Sequence, residues 1–185
     1  MINGLSVMRD EVTSSLWDHV SAECFEGPLE GKRLEFWYVA LTDVGTELDL
    51  HPDAILLFSD QRSFISTVMA KIAAPFLSYR NKKALMLPHF RWTMHSEVDP
   101  RLPEGEQGLD LRDEHDRAKF YPLSLIPEGG AIEDEWLGKK VIITRNKSDG
   151  VAYAAWAEGG QPPKQLLTRW YGFSFTYPDC DIYSN

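Results

Sequence analysis

Two histidines near the middle of the chain are the first candidates for acid–base chemistry. His89 and His95 share a short stretch of sequence with Arg91, Trp92 and Glu97. A histidine that is oriented by a carboxylate can act as a general base near neutral pH. We therefore predict a catalytic group in which His95 or His89 moves a proton and Glu97 or Arg91 orients charge. The competing interpretation is a polar loop whose histidines are exposed.

A metal site is not predicted. His89, His95 and His115 match no closed ligand spacing, and Cys24 and Cys180 lie at opposite ends of the chain outside any CxxC pattern. The two cysteines fit either one long-range disulfide or two reduced thiols. We expect neither a metal nor a cofactor.

Carboxylates are concentrated in two places. The run at Asp110, Asp113, Glu114 and Asp116 lacks the glycine with which hard-cation loops bend, so a solvated hairpin is predicted there. Three more carboxylates, at 133–135, precede Trp136. If they faced a pocket, their pKa values would be raised.

Aromatic residues suggest binding chemistry. The chain contains six Trp, seven Tyr and nine Phe, and core packing is the usual role of such rings. The other common role is to line a cavity for an apolar or cationic ligand. The predicted ligand-binding residues are Trp92, Arg91, Tyr121, Trp17 and Trp136.

Charge narrows the choice of partner. The net charge is -9 and the Lys and Arg residues are scattered, whereas nucleic-acid binding depends on clustered cations. We expect the partner to be a small organic molecule or a protein and not a nucleic acid. A homo-oligomer is also compatible with this composition. The chain has no GxSxG elbow, Walker loop or dinucleotide glycine pattern, which disfavours covalent hydrolases and kinases.

No apolar run approaches the roughly 20 residues that cross a bilayer, so no membrane insertion is expected. The first ten residues, which include Asn3, Arg9 and Asp10, lack the residue order of a signal peptide. We expect a soluble protein that is cytoplasmic or exported with its leader removed.

The elements that must position these residues are mostly strands. Alternation and β-branched or aromatic enrichment predict strands over 5–9, from Ser15, and over 34–41, 54–58, 84–87, 118–123, 140–145 and 151–156. A short helix is predicted over 44–50, an amphipathic helix over 62–74 and a glycine hairpin turn over 146–150. The prediction is one α+β, mostly β domain over 1–185, with a mixed or antiparallel sheet or barrel.

Residues 75–117 read as a long connector, because prolines stand at 75, 88, 100 and 103. Connectors of this length in compact domains usually carry function. We expect an aromatic-lined cleft beneath it.

The chain also contains two segments with similar residues at the same spacing, which we call the internal echo. Leu41-Thr42 precedes the Pro52-Asp53 pair, and Leu167-Thr168 precedes Pro178-Asp179 at the same distance, 126 residues later. Both copies predict a short helix, a Pro-Asp turn and a terminal strand. This divides the domain into a first part-unit (1–60), the helix and connector (61–117) and a second unit (118–185), with a pseudo-two-fold repeat. Coincidence among common turn residues is the alternative.

Several short blocks carry a family resemblance. The first set lies at 8–10 (MRD), 15–17 (SLW), 27–35 (GPLEGKRLE) and 51–53 (HPD), and the second at 99–103 (DPRLP), 118–123 (AKFYPL), 133–134 (ED) and 138–144 (GKKVIIT). Together they resemble a bacterial and archaeal family known only as a domain of unknown function, which has tandem units. Where that family has a cysteine-proline pair, this chain has Asn146-Lys147, so no thiol chemistry is transferred. The resemblance implies an architecture and no mechanism.

Three functions fit these observations. The leading hypothesis is a module that binds a small molecule or a protein in an aromatic-lined cleft. The alternatives are a cofactor-independent cyclase, isomerase or hydrolase with a histidine base, and a structural subunit that buries an exposed sheet edge in a larger assembly.

Overall fold

A computed structural model describes residues 7–37, 39, 41–42, 44–57, 68, 71–72, 94–95 and 97–184. Strands predominate in this part of the chain, which confirms the α+β, mostly β prediction. The described strands form three open sheets and no closed barrel. The strands are β1 (Val7–Arg9), β2 (Leu16–Asp18), β3 (Cys24–Glu26), β4 (Gln107–Arg112), β5 (Ala118–Pro122), β6 (Ala131–Trp136), β7 (Lys139–Arg145), β8 (Ala152–Trp156), β9 (Lys164–Arg169) and β10 (Asp181–Ile182), and the helices are α1 (Val44–Leu50) and α2 (Trp170–Thr176).

The N-terminal sheet, β1-β2-β3, is antiparallel and depends on the Asp10 carboxylate. This carboxylate accepts hydrogen bonds from the backbone N–H of Thr13 at 2.6 Å and of Ser15 at 3.0 Å, and from the Thr13 hydroxyl at 2.5 Å. The bonds from Thr13, above all, lower the pKa of Asp10 to about 2. The residues that connect β1 to β2 are therefore held as a tight turn.

The Gly-Pro-Leu block has a structural role in the same sheet. Gly27 has a φ of +108°, and a Cβ there would lie 2.9 Å from the Cα and Oγ of Ser15. Ser15 Oγ also accepts a hydrogen bond from the Leu29 N–H at 3.2 Å. The blocks at 15–17 and 27–31 therefore contact one another, and a structural role accounts for the residues of both blocks.

The main sheet has the strand order β10-β5-β4-β9. β4 pairs antiparallel with β5 and β9, whereas β10 pairs parallel with β5. α2 connects β9 to β10 and buries Trp170 and Phe173 against Phe120 of β5, with ring centroids 5.1 and 5.2 Å from that ring. A Cβ at Gly108 of β4 would collide with the Phe120 ring, so the close approach of the ring requires glycine.

The capping sheet, β6-β7-β8, is antiparallel and covers the other face of the main sheet. Its Val141 and Ile143 share a buried cluster with Leu109, Leu111 and Tyr121. The predicted strands and the hairpin turn of this region are confirmed, with a φ of +73° at Gly150.

Two predicted strands of the first part-unit are wrong where the structure describes them. Residues 34–37, 39 and 41–42 form no strand, and Trp37 is 79% exposed. Residues 54–57 also lack strand structure, with Ile55 88% exposed. β propensity expresses how well a residue fits a pleated, half-buried surface, and no described strand pairs with either segment. The helix over 44–50 is confirmed.

The predicted connector is wrong over 107–112, which is β4, at the interior of the main sheet. The sequence QGLDLR hides this strand because its Gly, Asp and Arg are more typical of loops. The strand predicted over 84–87 lies outside the described residues. Of the amphipathic helix predicted over 62–74, residues 68, 71 and 72 are described, and they are helical.

Within the described residues, no helix has the length and apolar character to cross a membrane. Cys24 and Cys180 are both buried and are not bonded to one another.

Candidate functional site

A cleft of about 550 Å³ opens where the main sheet meets the capping sheet. Three segments line it: residues 116–119 at the start of β5, residues 135–137 at the end of β6, and residues 176–181, which form the end of α2 and the second Pro-Asp turn. The cleft therefore contains the second copy of the internal echo. Of the predicted connector, its lining includes only Asp116 and Arg117.

Trp136 forms the aromatic part of one wall. The turn that follows it has left-handed backbone at Leu137 (φ +56°) and Gly138 (φ +74°), which reverses the chain directly after the tryptophan. Trp136 is 5% exposed, and its Nε1 is buried without a hydrogen-bond partner among the described residues. A buried N–H without an acceptor costs about 1–3 kcal/mol, so this indole is an unsatisfied donor beside the cleft.

Arg101 holds the wall of the cleft that residues 176–181 form. Its guanidinium donates hydrogen bonds to the backbone carbonyls of Pro178 at 2.7 Å and Cys180 at 2.8 Å. It also lies 5.4 Å from the centre of the Trp170 ring and pairs with Asp99 at 2.7 Å. The block at 99–103 thus fixes the Pro-Asp turn from a distant part of the chain.

The two cations of the cleft are already paired. Lys119 Nζ lies 2.6 Å from Asp134 Oδ2, and Arg117 Nε lies 2.6 Å from Asp113 Oδ2. A third pair joins Asp116 to Arg33 at 2.7 Å. The lining carboxylates that form no ion pair with described residues are Glu135, Asp179 and Asp181, and all three are exposed.

Lys119 belongs to a partly buried network with Asp134 and Tyr121. Asp134 Oδ2 accepts a hydrogen bond from the Tyr121 hydroxyl at 2.8 Å as well as the contact from Lys119. Burial acts to raise the pKa of Asp134, but the hydrogen bonds from Lys119 and Tyr121 outweigh it and the pKa is lowered. Burial, followed by the hydrogen bond to Asp134, raises the pKa of Tyr121 well above its usual range. The rise expected for carboxylates beside Trp136 therefore does not occur at Asp134.

The predicted ligand-binding residues are found in different places. Trp136 lines the cleft, whereas Tyr121 is fully buried in the core behind it. Trp17 is buried in the N-terminal sheet, with its Nε1 3.5 Å from Asp10 Oδ2. The remaining two predicted residues, Arg91 and Trp92, lie outside the described residues.

The predicted catalytic residues do not line this cleft where they are described. His95 and Glu97 are exposed, and neither belongs to the lining. His89 lies outside the described residues. Sequence reasoning did not name Lys119, Tyr177, Asp179 or Asp181 as site residues, although the second Pro-Asp pair marked the turn at which the last three lie. It considered Glu135 only as one of the carboxylates that precede Trp136.

The predicted solvated hairpin is half right. Residues 113–117 connect β4 to β5, and Glu114 and Asp116 are exposed. Asp110, in contrast, is fully buried in β4. Among the described residues, no group of three or more His, Cys, Asp and Glu side chains could hold a metal ion.

Comparison with known proteins identifies a family for the chain. A family model described as "Protein of unknown function (DUF3179)" matches residues 1–168. The match includes two of the three cleft segments and ends before the α2 and Pro-Asp segment. No curated protein and no solved structure matches the chain.

Proposed function

The chain belongs to this family of proteins of unknown function, and from the cleft itself we propose that it is a binding module for a small organic molecule that carries a positive charge. The observation that carries the proposal is the charge balance of the cleft. Both of its cations are paired, while Glu135, Asp179 and Asp181 form no ion pair with any residue that the structure describes.

The size of the cleft suits such a ligand. Sites for small molecules typically have volumes of roughly 300–1,000 Å³, and this cleft has about 550 Å³. Its lining mixes the rings of Trp136 and Tyr177 with charged side chains. A ligand with a short hydrocarbon or aromatic body and one ammonium group matches both parts of the lining.

Electrostatics set the sign of the ligand charge. Unpaired carboxylates in a concave surface attract cations and repel anions. Each of the three is exposed, so each contributes weakly, in the range of about 0.2–1 kcal/mol for exposed ion pairs. Selectivity for a cation therefore comes from their sum.

Trp136 supplies a second feature for recognition. Its Nε1 has no acceptor within the described part of the chain, although Trp136 lines the cleft. A ligand with an oxygen acceptor that reached this N–H would supply the missing hydrogen bond. Tyramine, which has an ammonium group and a phenolic oxygen, is a suitable probe, and 4-hydroxyphenylacetate has the same ring with the opposite charge.

The proposal is tested by following the indole N–H resonances of ¹⁵N-labelled protein during titration with each probe. Trp136→Phe and Trp17→Phe variants assign the two resonances. We expect tyramine to shift the Trp136 resonance saturably at millimolar concentration, with the Trp17 resonance as internal control. An equal response to 4-hydroxyphenylacetate, or no response of Trp136 to tyramine, would rule out the proposed selectivity.

A further inference from the structure

The carboxyl of Asp110 is buried and accepts no hydrogen bond from the described part of the chain. Its exposure is 0%, and both Oδ1 and Oδ2 are without such a partner. Its ion-pair partner is Arg112, two residues along β4, with Nε 3.2 Å from Oδ1. Buried carboxylates normally accept several hydrogen bonds, because the charged form is otherwise strongly disfavoured in a low-dielectric interior.

The face of β4 that carries Asp110 packs against several other elements. Strand alternation places Gly108, Asp110 and Arg112 on the face opposite the capping sheet. The groups around this face include Phe120 and Leu166 opposite Asp110 on β5 and β9, Lys164 opposite Arg112 on β9, Phe36 with its ring centre 5.9 Å from the Arg112 guanidinium, Tyr177 after α2, and Val20 after β2.

The charges and titratable groups of these elements are few. Lys164 contacts Glu114 at 3.3 Å. Burial raises the pKa of Tyr177, with the charge and hydrogen bonding of Arg112 opposing the rise and the charges of Asp110 and Asp116 adding to it. Ser174 Oγ of α2 is buried and has no hydrogen-bond partner in the part of the chain that the structure describes. Arg112 is therefore the group on which the charge state of Asp110 acts most directly.

Arg112 also connects two sheets. Its Nη1 donates a hydrogen bond to the backbone carbonyl of Val20, which belongs to the segment between β2 and β3. Val20 is 4% exposed and packs in the same cluster as Phe120 and Trp170. The guanidinium is thus shared between the carboxyl of the main sheet and a carbonyl of the N-terminal sheet.

We propose that Asp110 and Arg112 form a proton-operated link between the N-terminal sheet and the main sheet. When Asp110 is neutral, the Arg112 guanidinium is available to the Val20 carbonyl. The buried carboxyl then carries no charge that would need solvation. When Asp110 loses its proton, its charge competes with the Val20 carbonyl for Arg112, because neither oxygen of Asp110 accepts a hydrogen bond from a described residue. The neutral form therefore holds the N-terminal sheet more firmly.

The pH range follows from the burial of Asp110. Burial raises its pKa from 3.8 to about 7, with the Arg112 charge opposing the rise. The folded protein then binds this proton more tightly than the unfolded chain does. The stabilisation is fully present below about pH 4 and is lost as the pH rises towards 7.

Labelling of Cys24 with a dithiodipyridine reagent tests the link in a Cys180→Ser background. Cys24 is 0% exposed in β3, so the N-terminal sheet must open before the thiol reacts. Asp110→Asn copies the neutral carboxyl. At each pH, the labelling rate of the Cys180→Ser protein is divided by that of its Asp110→Asn derivative. We expect this ratio to rise at least about tenfold between pH 5 and pH 8, because a pKa shift of one unit corresponds to a tenfold change in an equilibrium constant.

Asp134→Asn is the matched control, because the lowered pKa of Asp134 leaves it ionised throughout this range. The labelling rate of the Cys180→Ser protein divided by that of its Asp134→Asn derivative should stay constant from pH 5 to pH 8. A ratio for Asp110→Asn that is equally constant would overturn the proposal.

A second measurement needs no variant. In protein labelled with ¹³C at the aspartate carboxyls, we expect the Asp110 resonance to titrate near pH 7. Titration of every aspartate below pH 5 would overturn the proposal, even if Asp110→Asn failed to fold.

Discussion

The two copies of the helix and Pro-Asp turn have different surroundings. α1 buries none of its residues, whereas α2 buries Trp170, Gly172, Phe173 and Ser174. After the second turn, β10 pairs with β5; after the first, residues 54–57 form no strand. Helix propensity and proline geometry thus produce the same local shape twice, but a strand forms only where a neighbouring strand offers its edge.

The equivalent positions show what the second copy gains. Val44, the counterpart of Trp170, is 57% exposed, while Trp170 is fully buried. His51, the counterpart of Tyr177, is exposed, while Tyr177 lines the cleft. The second copy is therefore both part of the core and part of the proposed binding site.

The largest difference between the copies should appear in the free energy of unfolding. Phe173→Ala removes a ring packed against Phe120, Trp170 and Tyr177 and should destabilise the protein by about 3–5 kcal/mol. Its counterpart Glu47→Ala should cost less than about 0.5 kcal/mol, because Glu47 lies on a helix without buried residues. Urea unfolding measures both, and similar costs would contradict the difference in packing.

A smaller effect is expected at Arg101, which holds only the second turn. Arg101→Ala removes the hydrogen bonds to the carbonyls of Pro178 and Cys180 and should cost about 1–2 kcal/mol. Arg117→Ala is the control, since its guanidinium is more exposed and pairs with Asp113; we expect less than about 0.5 kcal/mol. Equal midpoints for the two variants in urea would show that Arg101 does not brace the turn.

The smallest effect should come from the chain after the first turn. Ile55 is 88% exposed, so Ile55→Lys should change the free energy of unfolding by less than about 0.5 kcal/mol. Ile182 of β10 packs against the cluster around Phe120, and Ile182→Lys should be clearly more destabilising. Thermal unfolding compares the pair, and a large loss at Ile55 would mean that this segment is packed as tightly as β10.

Three strands after residue 117 could be predicted from the sequence because their signals are local, whereas β6 and β9 were not predicted. The strands at 118–122, 139–145 and 152–156 have dense apolar or aromatic patterns, and Gly150 marks the turn between the last two. The second Pro-Asp pair likewise marked the turn that became a wall of the cleft.

The failures have a common physical cause, which is that pairing and burial are not local. The apolar run at 34–41 has high β propensity but no described partner strand, whereas the polar sequence of β4 lies between two strands that complete its hydrogen bonds. The same holds for charges. The sequence predicted a solvated hairpin at Asp110, and only the position of β4 in the folded chain shows that this residue is buried.

If Glu135, Asp179 and Asp181 select a cationic ligand, removal of their charges must weaken the binding of tyramine. Calorimetric titration compares tyramine binding by the wild type and by the combined variant Glu135→Gln, Asp179→Asn, Asp181→Asn. The combined variant Glu11→Gln, Glu26→Gln, Glu30→Gln removes the same charge from exposed sites of the N-terminal region. We predict that the first variant weakens binding about tenfold and that the second leaves it unchanged. Equal weakening by both variants, or no effect of the first, would show that these carboxylates do not select the ligand.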